Sequence, residues 1–228
     1  MPHPPPFLFD LDGTLADTIG DIAASTNHVR TACGLVPLPL EGVRNCIGRG
    51  ASTLLRRALP ELGYGDEDLR WHDLLKIYVA HHDLQCTETA RLYPGVRTYL
   101  TALAERGHRM AVVTNKPERF AVVVVRHLGL AELLPVVVGG DTLPQKKPDP
   151  APLFFALRQL GCPLPDSSDG RTAPTHVSGP GTMVGDGEAD LHAGRAAGLR
   201  TIACLYGYGR EPQLRELGAD AYWTRFGG

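Results

Sequence analysis

In Phe7-Leu8-Phe9-Asp10-Leu11-Asp12-Gly13-Thr14 an apolar run gives way to two carboxylates spaced two residues apart. No other feature of the chain restricts its fold as much. An apolar strand that ends in acids belongs at the carboxyl edge of a parallel sheet, where α/β proteins bind their ligands in a crevice. Side chains two apart on an extended chain leave on the same side, so Asp10 and Asp12 are expected to enter that crevice together. Gly13 and Thr14 follow as a turn whose backbone is free to close around a small anion or a metal. Taken alone, an acid-x-acid pair is equally an acidic turn, and three further segments shift the balance.

Met110-Ala111-Val112-Val113-Thr114-Asn115-Lys116-Pro117 is a second apolar strand, ending in a hydroxyl and an amide, with a proline placed to open a helix. Thr114 and the backbone N–H of Asn115 can hold phosphate oxygens there, or serve as an ordinary helix cap. In Gln145-Lys146-Lys147-Pro148-Asp149-Pro150 two prolines stiffen a loop around Lys147, which either neutralises a charge or is simply solvated. Thr182-Met183-Val184-Gly185-Asp186-Gly187-Glu188-Ala189-Asp190 ends a third strand in a glycine turn with two acids. Asp186 and Asp190 can serve a hard cation through oxygen, while Asp190 also fits a helix first turn favoured by the dipole.

Apolar runs alternating with helical patterns indicate an α/β chain built on a doubly wound parallel sheet. Strands are expected at 7–9, 109–114, 135–138, 182–184 and 201–204, with a short last one at 221–223. Helices are expected at 96–106, 117–128 and 150–160, each stopped by a glycine. The β-branched run Val122–Val125 favours a strand by propensity, but its proline start, glycine stop and the need for a crossover favour helix. Between Asp17 and about Leu92 the strand signals vanish, leaving helices at 18–33, 50–59 and 66–84, an insertion the size of a small domain. Trp71, Leu74, Leu75 and Tyr78 have helical spacing and read as its core, and His81-His82 reads as a wet helix end.

The length of 228 residues and 43% hydrophobic content allow a core domain plus this smaller one. A net charge of −2 gives no reason to expect nucleic acid or an anionic membrane as partner. The five cysteines are scattered without a C-x-x-C pair, so they read as reduced, packed thiols rather than a zinc site or disulfide framework. The start Met1-Pro2-His3-Pro4-Pro5-Pro6 lacks a basic region and a long apolar run, which makes the cytoplasm the default location.

Together and in this order the four segments resemble the haloacid dehalogenase-like superfamily of hydrolases. The match runs acid-x-acid-Gly-Thr, then Thr114, then Lys147, then Asp186 with Asp190. The stretches 42–50 and 139–144 are similar to the phosphoglycolate phosphatase branch. The resemblance implies a Rossmann-like core from residues 1–16 and 92–228, with residues 17–91 as an inserted helical cap. It implies Asp10 as nucleophile and Asp12 as general acid and base. It also implies Mg²⁺ held by Asp10, the Asp12 backbone carbonyl and Asp186, with Asp190 orienting that set or reaching the metal through water. Gly13, Thr114, Asn115 and Lys147 would bind phosphate, and Arg49, in the glycine-flanked cap loop, would meet a substrate carboxylate. Asp141 is expected to pair with Lys147 and aim it. The implied partner is a small phosphorylated metabolite, taken up by a monomer or homodimer. Gly187 stands where the family often has serine, and the long Ser/Gly/Pro segment 163–180 is expected to be a loop remote from the crevice. Asp12 argues against a dehalogenase, which has no leaving oxygen to protonate. A sugar-phosphate mutase and a phosphate-binding regulator without turnover stay open as alternatives.

Overall fold

The computed structural model describes residues 4–162 and 181–228, so the expected 163–180 loop lies outside the described residues. Six parallel strands form the sheet: β1 (Phe7–Phe9), β4 (Met110–Val113), β5 (Val136–Val138), β6 (Thr182–Gly185), β7 (Arg200–Cys204) and β8 (Ala221–Trp223). Their spatial order is β5-β4-β1-β6-β7-β8. The chain winds outward from β1 in one direction, returns to β6 beside β1, and winds outward in the other. That reversal opens a crevice at the carboxyl ends of the central strands.

The strands read as unbroken apolar runs because both of their faces are covered. Phe9, Val112 and Val184 face one core, filled by α5 (Val96–Glu105) and α6 (Glu118–His127). Their neighbours Leu8, Ala111, Val113 and Met183 face the other, filled by α7 (Ala151–Gln159) and α8 (Glu188–Ala196). The valine run at 122–125 is helical in α6 because Val124 and Val125 pack into the first core while Val123 stays exposed. Tertiary burial overrides β-propensity there. A further helix, α9 (Glu211–Leu217), packs Leu214 on Leu191 and Ala203 and was not expected from the sequence.

Residues inserted between β1 and β4 fold as helices α1 (Ile19–Ala32), α2 (Leu40–Arg44), α3 (Ala51–Ala58) and α4 (Arg70–Gln85). Only α2, hidden in a proline-bearing stretch, escaped the sequence pattern. Trp71, Leu74 and Tyr78 lie in a separate apolar cluster with Ile22, Val29, Leu54 and Leu55, as their spacing predicted, and Leu75 packs against its edge. Contrary to the strand-free reading, a two-stranded antiparallel ribbon of β2 (Ala16–Asp17) and β3 (Arg91–Leu92) pins the entry of this segment to its exit. Strands of two residues carry no periodicity, so sequence alone offered no signal for them. All five cysteines are free.

Inside the helical segment Arg30 is buried, with Nε donating to the Val36 carbonyl at 2.7 Å, Nη1 to that of Ala58, and Nη2 2.9 Å from Glu61. Arg30→Met keeps the apolar stem and strands those carbonyls. We expect a loss of about 2–4 kcal/mol in stability, read from the denaturant midpoint at unchanged slope. An unaltered midpoint would show that water replaces the guanidinium without cost.

Candidate active site

Beyond Phe9 the chain bends at Gly13, whose φ of +84° only glycine adopts readily, and a Cβ there would stand 2.3 Å from Asp186 Oδ2. Gly185 is confined in the same way, since a Cβ on it would meet the Asp190 carboxyl at 2.2–2.3 Å. These two glycines let the ends of β1 and β6 bring their acids together. Asp10, Asp186 and Asp190 offer oxygens that all lie within 4.8 Å of one another.

Lys147 is driven into this cluster. It is 2% exposed, with its Nζ donating to Asp190 Oδ1 at 2.6 Å and to the Val113 carbonyl at 2.5 Å, and lying 3.1 Å from Asp10 Oδ1. Burial opposes its charge, but Asp10 and Asp190 outweigh burial and hold the ammonium above its usual range. Asp190 takes the helix first-turn place its position allowed, with Oδ2 accepting from the Gly187 N–H at 2.9 Å at the start of α8, while Oδ1 accepts from Lys147. Asp186 accepts from the Thr14 hydroxyl and from the Tyr208 N–H, each at 2.7 Å. One ammonium among three carboxylates leaves the site short of positive charge. Burial, then Asp190 and Asp12, outweigh Lys147 and lift the Asp10 carboxyl to about 6; burial, then Asp10 and Asp190, lift Asp186 to about 8. This is the donor set that a hard, oxygen-seeking cation fits.

Asp12 lines the same cleft as Asp10 but has different partners. The ammonium of Lys116 lies 3.2 Å from both of its oxygens, and the Thr18 hydroxyl donates to Oδ1 at 2.7 Å. Thr18 is fixed in turn by Tyr208, whose hydroxyl accepts from the Thr18 N–H and donates to Asp17. The sequence reading missed Lys116, Thr18 and Tyr208. Lys116 follows Thr114-Asn115 directly, and Tyr206-Gly207-Tyr208-Gly209 leaves the carboxyl end of β7, so position alone could have flagged both.

Thr114 and Asn115 sit at the end of β4 on the cleft wall. The Asn115 amide donates to the Lys147 carbonyl at 2.9 Å and to the Gly48 carbonyl at 3.0 Å, tying the sheet edge to the loop before α3. Lys146 reinforces that tie through the Arg49 carbonyl at 2.9 Å. The Arg49 side chain lines the cleft and has no hydrogen bond or ion pair among the described residues. The cleft encloses about 340 Å³ between the sheet edge and the helical segment.

Two expectations are corrected. Asp141 does not meet Lys147; its carboxylate accepts from the Glu118 N–H at 2.7 Å and caps α6, because a helix N-terminus is the nearer positive pole. His81-His82 is not a wet helix end. His82 is buried between Tyr78 and Phe120, and both imidazoles reach the Ser25 hydroxyl.

The sequence model of the family described as haloacid dehalogenase-like hydrolase matches residues 7–204. The chain is a haloacid dehalogenase-like hydrolase. Within this family it is similar to a phosphoglycolate phosphatase of Pseudomonas fluorescens, with 37% identity over 92% of the chain and 72% of that relative. A phosphoglycolate phosphatase of Rhodospirillum rubrum is also 37% identical, over 98% of the chain and 88% of its own. A crystal structure described as a predicted phosphoglycolate phosphatase from Haemophilus somnus superposes with a TM-score of 0.82 at 27% identity, covering 97% of this chain and 94% of that one. Among the described residues no helix of this hydrolase is long and apolar enough to cross a membrane.

The raised carboxyls give a pH test of cation binding. The metal-free hydrolase is favoured by keeping Asp10 and Asp186 protonated, and that stabilisation is lost as pH climbs from the ordinary carboxylate value toward about 8. A divalent cation binds the ionised form and releases protons. The rise in Tm on adding Mg²⁺ should therefore be larger at pH 8 than at pH 6. A rise that is equal at both pH values would place the ion elsewhere.

Proposed function

We propose that this hydrolase cleaves phosphomonoesters through an aspartyl phosphate on Asp10, and that its substrate is a small phosphorylated acid, 2-phosphoglycolate. The observation that carries the reading is one cleft holding Asp10, Asp12, Lys147 and the Asp186–Asp190 pair, in a chain 37% identical to phosphoglycolate phosphatases. In the first step Asp10 attacks phosphorus, the bond to the ester oxygen breaks, and Asp12 gives that oxygen a proton. In the second, Asp12 takes a proton from the water that attacks phosphorus and frees Asp10. Lys116 and Thr18 hold Asp12 in place for both transfers.

The Thr114 hydroxyl, the Asn115 N–H and the Lys147 ammonium are the donors for the phosphoryl oxygens, where charge spreads in the transition state; the Gly13 N–H, expected to join them, is given instead to the Ala16 carbonyl at 2.8 Å. Asp10, the Asp12 carbonyl, Asp186 and Asp190 are the groups to hold Mg²⁺. That ion, when bound, supplies the positive charge a carboxylate needs to approach a phosphate dianion. Residues 17–91 act as a cap over the core formed by 1–16 and 92–228, shutting water out of the first step and admitting it in the second. The tie from Asn115 and Lys146 to the 48–49 carbonyls is the contact such closure makes. Arg49, without an ion pair among the described residues, is the cap's cation for the substrate carboxylate.

Assayed against a panel of phosphate esters with Mg²⁺, the protein should turn over 2-phosphoglycolate with the highest kcat/KM, and Ca²⁺ should support the reaction poorly because it takes more ligands at longer distances. Asp10→Asn should lose activity by about 10³-fold or more with an unchanged circular dichroism spectrum. Substantial hydrolysis by the folded variant would falsify the nucleophile assignment. Arg49→Ala should cut kcat/KM on phosphoglycolate by roughly ten- to a hundredfold, the worth of a charge-assisted hydrogen bond. Its effect on p-nitrophenyl phosphate should be far smaller, and equal losses on both esters would leave Arg49 a structural residue.

A further inference from the structure

Among the described residues the helical cap gives the cleft two buried nitrogens without a hydrogen-bond partner, Arg44 Nε and His82 Nε2, that the reaction above leaves idle. His82 of α4 lines the cleft yet is 1% exposed, and its Nε2 is buried without a hydrogen-bond partner among the described residues. An orphaned buried nitrogen costs about 1–3 kcal/mol, so a native fold keeps one where something else is to satisfy it. The ring has no freedom to look elsewhere. Tyr78 stacks on it at 5.1 Å between centroids, Phe120 meets it edge-on at 4.7 Å, and Ser25 Oγ lies 2.9 Å from Nδ1. Burial first, and then the charge of Lys116, keep the imidazole neutral, with its pKa held down to about 3.

Its place in the cleft is informative. Phe120, which meets the His82 ring, lies in the first turn of the helix that follows Lys116, and Lys116 grips Asp12, so His82 stands on the Asp12 side. An in-line displacement by Asp10 puts the ester oxygen, and whatever carbon chain it carries, on that same side. The organic end of the substrate therefore faces His82. Ionised phosphoglycolate presents only acceptors, so its partner must donate.

Ser25 decides which nitrogen can do so. Its hydroxyl lies between two imidazoles, 3.1 Å from His81 Nδ1 and 2.9 Å from His82 Nδ1, and has a single proton to give. If it is given to His82 at the shorter contact, that proton occupies the Nδ1 lone pair and leaves the ring's own proton on Nε2. We propose that His82, fixed as the Nε2–H tautomer by Ser25, determines specificity by donating a hydrogen bond to the carboxylate of the substrate, opposite Arg49. The inference rests on the phosphoglycolate reading and deepens it.

The test compares wild type, His82→Phe and His82→Gln on 2-phosphoglycolate and on p-nitrophenyl phosphate. Phenylalanine fills the ring's space without a nitrogen; glutamine can return an N–H close to the position of Nε2. His82→Phe should lower kcat/KM on phosphoglycolate about tenfold, chiefly through KM, and lower it far less on the aryl ester, with His82→Gln recovering part of the loss. Equal losses on both esters, or none, overturn the proposal. A wild type that shows no preference for phosphoglycolate overturns the substrate reading and this inference with it; a preference that survives in His82→Phe overturns this inference alone. Should the variants fail to fold, ¹⁵N-histidine NMR of the wild type decides. Adding 3-phosphonopropionate should shift a His82 Nε2–H signal that ethylphosphonate, which lacks the carboxylate, leaves in place. A proton found on Nδ1, or no response to 3-phosphonopropionate, contradicts the assignment.

Discussion

The ammonium of Lys147, buried against Asp10 and Asp190, is the interaction on which the rest of this site depends. A cation taken out of water is costly unless paired, and three carboxylate groups confined within 4.8 Å repel one another strongly. Each arrangement is tolerable only in the presence of the other. The neutralisation is still incomplete: burial first, and then the neighbouring carboxylates, hold Asp10 and Asp186 above the ordinary carboxylate range. A second positive charge is thus favoured by the fold before any substrate arrives. The cation deficit of the site and its fitness for phosphate chemistry are one fact.

Everything around Lys147 serves to keep the acids close. The winding reversal sets β1 between β4 and β6, so three strand ends deliver their loops to one point. Glycines at 13 and 185 remove the side chains that would hold those loops apart. The Tyr206–Gly209 turn after β7 closes the far side, with Tyr208 bonded to both Asp186 and the Thr18–Asp17 turn at the entrance to the helical segment. A single residue thereby connects the metal-seeking acids to the base of the helical segment. The Asp12 side chain stands apart from this cluster, held by Lys116.

The sheet and the acids were legible in the sequence because their causes are local. Apolar runs ending in Asp10, Thr114 and Asp186 announce both a buried strand and a reactive strand end, and proline starts with glycine stops bracket the helices of the core. What stayed hidden depends on contacts between distant segments. The β2–β3 ribbon joins residues 16–17 to 91–92 and has no pattern of its own. Asp141 lies near Lys147 in sequence, yet the N-terminus of α6 claims it. His82 shows the same limit most clearly: a histidine pair on a polar helix reads as solvated, and Phe120, arriving from the core, together with Tyr78 and Ser25, buries it. Lys116 follows the strand end at Thr114-Asn115, which marks it as near the crevice, but its role as the partner of Asp12 emerges only from the fold.

The central claim is that Asp10 carries the phosphoryl group between the two half-reactions. Borohydride reduces an acyl phosphate to the alcohol, which converts the aspartyl phosphate at that position into homoserine. Enzyme quenched with borohydride during turnover of 2-phosphoglycolate with Mg²⁺, then digested and sequenced by mass spectrometry, should show homoserine at residue 10 and at no other carboxylate. Unmodified Asp10 under steady turnover, or homoserine at Asp12 or Asp186 instead, would contradict the account.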